Sequence, residues 1–201
     1  LTSLDISCCL YNLTDLSMVA VAAGCTSLTS LNVASTSLDI SWCRKITDES
    51  IKAIAAGCAS LTSLAFEDCR NLTNESIEVV AAGCASLTSL DISCCLYNLT
   101  DLSMVAVAAG CTSLTSLNVA STSLNVDKCF SLTDESMNAV AVGCASLTSL
   151  DISWCRKITD ESIKAIAAGC ASLTSLAFED CRNLTNESIE VVAAGCASLT
   201  S

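Results

Sequence analysis

The stretch Leu147-Thr-Ser-Leu-Asp-Ile-Ser-Trp-Cys155-Arg-Lys-Ile-Thr-Asp-Glu-Ser-Ile-Lys-Ala-Ile-Ala-Ala-Gly-Cys170 contains every element of one structural repeat. The alternation of Leu150, Asp151 and Ile152 predicts a short β-strand with one buried face. Thr159 suits the N-cap of a helix, and the two acidic residues that follow it suit the positive end of the helix dipole. The stretch therefore predicts a strand, a turn and a helix in that order.

The second half of the stretch has the periodicity of an amphipathic helix. Ile163, Ile166, Ala167 and Cys170 fall at positions i, i+3, i+4 and i+7, which places them on one apolar stripe. Gly169 stands where a helix would stop and turn back toward the next strand. The pattern predicts a helix that ends at this glycine.

The same phrase recurs along the chain with a period of 26 or 27 residues. The full units span 1–27, 35–60, 61–86, 87–113, 121–146, 147–172 and 173–198. Two further segments, 28–34 and 114–120, both read Leu-Thr-Ser-Leu-Asn-Val-Ala and are predicted to be inserts. Each insert is either a lengthened turn between helix and strand or the junction of two joined arrays.

No single unit of this length can bury its own apolar face, so neighbouring units must stack. Stacking predicts an α/β solenoid in which the strands form a parallel ladder on the concave side and the helices lie on the convex side. The chain begins and ends inside the same repeating phrase. We therefore expect a single repeat array over residues 1–201 that is a window of a longer array.

A known family shares this pattern. The phrase Cys155-Arg-Lys-Ile-Thr-Asp-Glu-Ser-Ile, with Ala-Ala-Gly-Cys170 at its end, resembles the cysteine-containing leucine-rich repeats. Those repeats occur in F-box substrate receptors of ubiquitin ligases and in many protist proteins. The resemblance implies a leucine-rich-repeat solenoid, but the sequence contains no F-box segment, and the two inserts depart from the family pattern.

The 16 cysteines occupy fixed places in the repeat. One set takes the ninth position of each unit, a second set follows the glycine at the helix end, and Cys8 and Cys94 are additional. Their places on the apolar faces predict buried, reduced thiols that act as small apolar side chains. Disulfides between rungs and a metal site are the alternatives, although the chain has no histidine and no C-x-x-C pair.

Composition argues against catalysis and against polyanionic partners. The formal net charge is −12, which disfavours nucleic acid and anionic membrane surfaces as partners. Without histidine, no serine or cysteine has the usual base to activate it. Every glycine precedes a cysteine at a helix end, so none remains for a phosphate-binding loop. We therefore predict a protein that is not an enzyme and has no cofactor.

The concave surface is where such solenoids bind partners. Its polar residues follow or alternate with the buried leucines of the strands. Trp42 and Trp154 are either binding anchors or side chains that lie along a neighbouring rung. The predicted binding residues are Trp42, Glu67, Asp68, Asp91, Asp127, Lys128, Asp151, Trp154, Glu179 and Asp180.

Two function classes follow from this surface. The first is a non-catalytic protein-interaction scaffold with an acidic concave face. The second is a structural array that assembles with itself head to tail into a filament, because residues 1–38 repeat as 87–124 and residues 36–89 repeat as 148–201. Many reduced thiols favour the cytoplasm. N-x-S/T triplets such as those at Asn12, Asn74 and Asn186 favour an extracellular location, so the sequence leaves localisation open.

Overall fold

The computed structural model describes residues 3–6, 13–24, 37–95, 99–120 and 132–200. Within these ranges, seven strands alternate with seven helices. The strands are β1 Ser3–Asp5, β2 Ser37–Asp39, β3 Ser63–Ala65, β4 Ser89–Asp91, β5 Ser116–Asn118, β6 Ser149–Asp151 and β7 Ser175–Ala177. The helices are α1 Asp15–Gly24, α2 Asp48–Gly57, α3 Asn74–Gly83, α4 Asp101–Gly110, α5 Asp134–Gly143, α6 Asp160–Gly169 and α7 Asn186–Gly195.

The strands form one parallel sheet in chain order, from β1 to β7. The central leucines pair in register, for example Leu64 with Leu90, and both are almost completely buried. Parallel strands lie about 4.8 Å apart, whereas packed helices need roughly 8–10 Å. The sheet therefore lies on the inner, concave side and the helices on the outer, convex side. This arrangement confirms the predicted leucine-rich-repeat solenoid.

The core is one continuous cluster between the sheet and the helices. Each rung contributes a strand leucine, such as Leu150, and two residues from the inner face of its helix, such as Ile163 and Ile166. Burial of each such side chain contributes roughly 1.5–3 kcal/mol, and every rung covers its neighbour. Among the described residues, the helices are all too short or too polar to cross a membrane.

Threonine caps the helix N-termini as predicted. Thr159 has an extended backbone and its hydroxyl oxygen accepts a hydrogen bond from the backbone N–H of Glu161. The same cap is formed at the start of α2, α3, α4, α5 and α7. Each cap satisfies one of the backbone donors that a helix leaves unpaired at its N-terminus.

Each helix ends at its glycine, as predicted, and at α6 the packing of adjacent helices gives a further reason for this residue. Gly169 is the last residue of α6, and no described glycine has the positive φ that a left-handed cap requires. A Cβ atom built on Gly169 would overlap the carbonyl oxygen of Ala141 in α5. The glycine is therefore required because adjacent helices approach each other too closely for a side chain.

Segment 114–120 is not an insert in the structure. Its residues Ser116–Asn118 form β5, which pairs with β4 on one side and β6 on the other. The prediction that this segment lies outside the ladder is therefore wrong. The other predicted insert, 28–34, and the predicted strand near residue 123 lie outside the described residues.

A hydrogen-bonded ladder links the N-termini of neighbouring helices. In α5, Asp134 accepts hydrogen bonds from the backbone N–H and the hydroxyl of Thr159, each at 2.8 Å, and from the hydroxyl of Ser162. Asn74 makes the corresponding contacts to Thr100 and Ser103 of the next rung. Four other helices begin with an aspartate that accepts the same hydrogen bonds from the next rung: Asp15, Asp48, Asp101 and Asp160.

The cysteines fill the predicted buried positions. All twelve that the structure describes are buried. The ninth-position thiols reach back to the preceding rung: Cys69 donates to the carbonyl of Ile40 at 3.3 Å, and Cys181 donates to that of Ile152 at 3.2 Å. Because the turn needs only one inward residue, the sequence predicts that the additional Cys8 and Cys94 are the first thiols to react. Cys94, however, has only 7% of its surface exposed, and Cys8 lies outside the described residues.

Thiol reactivity tests this burial. Burial raises the pKa of Cys69 and of Cys144 to about 12, so very little thiolate is present at neutral pH. We expect the twelve buried thiols to react with a disulfide reagent only after unfolding in denaturant. Rapid reaction of most of the 16 cysteines in the native protein would contradict the prediction. A low thiol count after unfolding without reductant would indicate disulfides instead.

Candidate functional site

The fifth position of each strand unit forms a continuous row on the concave face. These residues are the last of each strand and lie next to one another through the parallel register. They are half-buried, except for the exposed residue in β1. We call them the acidic row; in order they are Asp5, Asp39, Ala65, Asp91, Asn118, Asp151 and Ala177.

Turn residues hold the carboxylates of the acidic row in place. The carboxylate of Asp39 accepts a hydrogen bond from the backbone N–H of Ser41 at 2.9 Å. The carboxylate of Asp151 accepts one from the backbone N–H of Ser153 at the same distance. Neighbours within the row also interact, because the amide of Asn118 donates to Asp91 at 3.0 Å. These bonds fix the orientation of the side chains, which remain partly exposed.

The eighth residue of the unit follows the strand with a left-handed backbone. Trp42 has φ 63° and Trp154 has φ 67°, a conformation that costs a non-glycine residue roughly 1–2 kcal/mol. This conformation lets the backbone N–H of Trp42 donate to the backbone carbonyl of Glu67 at 2.6 Å. The backbone N–H of Trp154 likewise donates to the backbone carbonyl of Glu179 at 2.7 Å. The left-handed turn therefore extends the hydrogen bonding between rungs beyond the strand itself.

Each tryptophan is half-buried and contacts a charged side chain. The indole N–H of Trp42 donates to the Glu67 carboxylate of the next rung at 3.3 Å. The ring of Trp154 lies 5.4 Å from the guanidinium of Arg156, within cation–π range. Trp42 therefore contacts the neighbouring rung and Trp154 contacts its own turn, while each residue stays partly exposed.

Glu67 lies near several other carboxylates, and they affect its pKa. Burial raises the pKa of its carboxyl, the hydrogen bond from Trp42 lowers it, and the negative charges of Asp91, Asp68 and Asp39 raise it further. The net direction of the pKa shift is upward, chiefly because of burial, and repulsion by the three aspartates adds to it. A cationic group bound at this point would relieve that repulsion.

Asp68 does not belong to the exposed rim, contrary to the prediction. It is 3% exposed, and its carboxylate binds Arg44 of the preceding rung at 2.9 Å and Arg70 at 2.7 Å. Asp180 makes the corresponding ion pairs with Arg156 and Arg182. These carboxylates link one rung to the next and have their charge satisfied within the chain.

The remaining predicted binding residues fall into two groups. Asp91 and Asp151 belong to the acidic row, and Glu179 is exposed beside it. Asp127 and Lys128 lie outside the described residues. In the described ranges, no group of three or more Cys, Asp or Glu side chains is arranged to hold a metal ion. The arrangement provides carboxylates and aromatic surface for binding a cationic partner.

A family model matches two parts of the chain. A family model described as a leucine-rich repeat matches residues 36–55 and 143–167. A comparison with curated proteins finds no match.

A solved structure shares this fold over nearly the whole chain. A chain in the crystal structure of the Rad7 and Elc1 complex in yeast aligns with 99% of this chain at 20% identity and a TM-score of 0.73. The alignment covers 48% of that chain, so this sequence spans about half its length. The leucine-rich-repeat-containing protein LegL7 from Legionella pneumophila aligns at 14% identity and a TM-score of 0.37, covering 100% of this chain and 92% of that one.

Proposed function

We propose that this leucine-rich-repeat chain is a non-catalytic interaction scaffold whose concave face binds a basic segment of a partner protein. The observation that carries the proposal is the acidic row, in which Asp39, Asp91 and Asp151 end the alternate strands β2, β4 and β6 of one sheet. The net charge of −12 attracts the same class of partner over longer distances.

The geometry suits arginine and lysine side chains in particular. Row positions are about 4.8 Å apart, so Asp39 and Asp91, separated by Ala65, lie roughly 10 Å apart. Ala65 places only a methyl group between the two carboxylates. Glu67, which accepts the indole N–H of Trp42, lies near enough to Asp39 and Asp91 for their charges to raise its pKa. A guanidinium placed there would contact carboxylates and stack on an aromatic ring.

Neutralising the acidic row is expected to weaken binding of a basic peptide at least about tenfold, because three half-exposed charges each contribute roughly 0.5 kcal/mol. The variant is Asp39→Asn, Asp91→Asn and Asp151→Asn; asparagine already occupies this position at Asn118. The probe is an unstructured peptide of Gly, Ser and Arg, titrated against the fluorescence of the chain's two tryptophans, which both border the concave face.

A charge-matched variant on the convex face separates specific binding from general attraction. Glu161→Gln, Glu187→Gln and Glu190→Gln remove the same charge from exposed helix positions. We expect this variant to bind the arginine peptide nearly as well as the unmodified chain does. Equal weakening by both triple variants, or no weakening by the concave one, would contradict the proposal.

End-to-end assembly is the second candidate, and one observation favours it. Ile189 is 55% exposed in the last rung, whereas Ile77, at the same place in an identical segment, is fully buried by its neighbouring rung. A second copy stacked on β7 and α7 would cover Ile189. Sedimentation of the chain over a range of concentrations tests this: growing particles would support a filament, and a constant monomer would reject it.

A further inference from the structure

Helix α4 has an apolar outer face, unlike the helices that carry charge there. Its second and fifth residues, Leu102 and Val105, are 63% and 41% exposed. The same helix positions in α6 hold Glu161 and Lys164, which pair with each other at 2.8 Å. Because α4 already buries Met104 and Val107 on its inner face, it is apolar on both sides.

An all-round apolar helix on a protein surface indicates that something covers its outer side. Single exposed leucines are common and need no explanation. Here, however, Leu102 and Val105 are joined by Val142 of α5, which is 86% exposed and the largest departure from the alanine found at that position in other helices. Val105 and Val142 line one groove between the two adjacent helices, and Leu102, one turn before Val105, extends this apolar patch along α4.

A groove of about 510 Å³ runs between α4 and α5 beside this patch. Its apolar lining is Val105, Ala108, Ala109, Ala139, Val142 and Gly143. Small residues on the floor allow another helix to approach closely, with its own larger side chains entering the groove. Each groove wall is a ten-residue helix, about 15 Å long, which matches about three turns of one bound helix.

The two helices that line the groove contain acidic residues and no basic ones. Helices α3, α4 and α5 contain no lysine or arginine. Glu78 on α3 and Glu135 on α5 are exposed on opposite sides of α4, since the helices pack in chain order. By contrast, α1 repeats the apolar pair as Leu16 and Val19, but its neighbour α2 carries Lys52.

We propose that the α4–α5 groove binds an amphipathic helix of a partner protein, with lysine or arginine on both flanks of its apolar stripe. The apolar stripe would cover Leu102, Val105 and Val142, and the basic flanks would reach Glu78 and Glu135. A second copy of this chain fits less well, because its own α4 would bring the same acidic flanks against these carboxylates. This second surface is independent of the concave face.

The test uses a labelled synthetic helix of about 15 residues, roughly 22 Å long, with leucines at i, i+3 and i+7 and lysines on both flanks. Two comparison peptides have the same leucines with glutamate flanks, or the same composition in scrambled order. The main variant is Leu102→Glu, Val105→Lys and Val142→Ala, which installs residues that other helices of this chain carry at those positions and leaves the net charge unchanged. The matched control is Leu16→Glu with Val19→Lys on α1.

We expect the lysine-flanked peptide to bind the unmodified chain, and to bind the main variant at least about tenfold more weakly, as for loss of a hot-spot cluster. The α1 control should bind like the unmodified chain. Glu78→Gln with Glu135→Gln should weaken binding and flatten its dependence on salt. Thermal unfolding of every variant verifies that the array remains folded.

Three results would overturn the proposal. The lysine-flanked peptide could bind the main variant as tightly as the unmodified chain, or fail to bind either. The glutamate-flanked or scrambled peptide could bind equally well. Sedimentation could show a dimer of the unmodified chain that the main variant loses, which would make a second copy the occupant. The arginine-peptide titration of the acidic row does not depend on any of these results.

Discussion

Replacing Gly143 with alanine is expected to lower the free energy of unfolding by about 2–3 kcal/mol, as for overpacking of a tightly packed interface. A Cβ atom at Gly143 would overlap the carbonyl oxygen, carbonyl carbon and Cα of Ala108 in the preceding helix. These are backbone atoms, so they cannot move aside by a change of rotamer. To accommodate the methyl group, α4 and α5 would have to move apart.

Gly195 supplies the matched control because its surroundings are looser. A Cβ atom there would lie 3.0 Å from the Cβ of Ala167 and 3.5 Å from its carbonyl oxygen. Alanine also has a helix propensity better than that of glycine by roughly 1 kcal/mol, which offsets part of the crowding. Urea denaturation should therefore show a large loss for Gly143→Ala and a small change for Gly195→Ala. Equal losses would mean that both glycines are needed for local backbone reasons.

The sequence predicts the fold well because every signal in a unit agrees with the others. The alternation around Leu150, the cap at Thr159 and the stripe from Ile163 to Cys170 each point to the same strand, turn and helix. The structure forms all three, and the threonine cap recurs in six of the described helices. Such agreement between local preference and packing is expected of a repeat whose neighbours are copies of itself.

The glycine positions show where local patterns stop being informative. A glycine at a helix end suggests a left-handed cap when only its own rung is considered. The actual constraint is the carbonyl oxygen of an alanine in the preceding rung, some 30 residues earlier, as at Gly143 and Ala108. Only the distance between stacked helices reveals it.

The strand of the fifth rung could not be located from the sequence for a similar reason. The phrase Thr-Ser-Leu-Asn-Val occurs at 115–119 and again at 122–126, and both copies have the same alternation. The structure pairs Ser116–Asn118 with β4, although in the identical segment 1–38 the strand β2 begins at the second phrase, at Ser37. Two equally good strands leave the choice to the neighbouring rungs.

The candidate site was predictable where it depends on strand alternation. Asp91 and Asp151 follow a buried leucine, so their concave position is a direct consequence of the two-residue period. Asp68 was misplaced because it lies in the left-handed turn, where alternation no longer applies. The signal that could have corrected it is the arginine after the ninth-position cysteine in two successive rungs, Arg44 and Arg70.

Removing the Asp134 carboxylate is expected to cost about 2–4 kcal/mol, because hydrogen bonds to a charged group contribute roughly 1.5–3 kcal/mol each and this group is partly exposed. Asp134→Ala leaves the Thr159 backbone N–H and the buried Ser162 hydroxyl without their acceptor. Asp134→Asn keeps an acceptor oxygen, as Asn74 does two rungs earlier. We expect the asparagine variant to lose about 1 kcal/mol or less near neutral pH, in line with one weakened hydrogen bond.

Acid unfolding adds a test that depends on charge alone. Burial would raise the pKa of Asp134, but the hydrogen bonds from Ser162 and Thr159 outweigh it and hold the pKa below its ordinary value of 3.8. The folded state therefore binds this proton less readily than the unfolded chain does. The resulting stabilisation is complete above the unfolded pKa and is lost as the pH falls through the folded one. The unmodified chain should lose stability over this acidic range more steeply than Asp134→Asn, measured by urea denaturation at a series of pH values. Parallel curves for the two proteins would show that the carboxylate's charge contributes nothing, and that the ladder is stabilised by acceptor geometry alone.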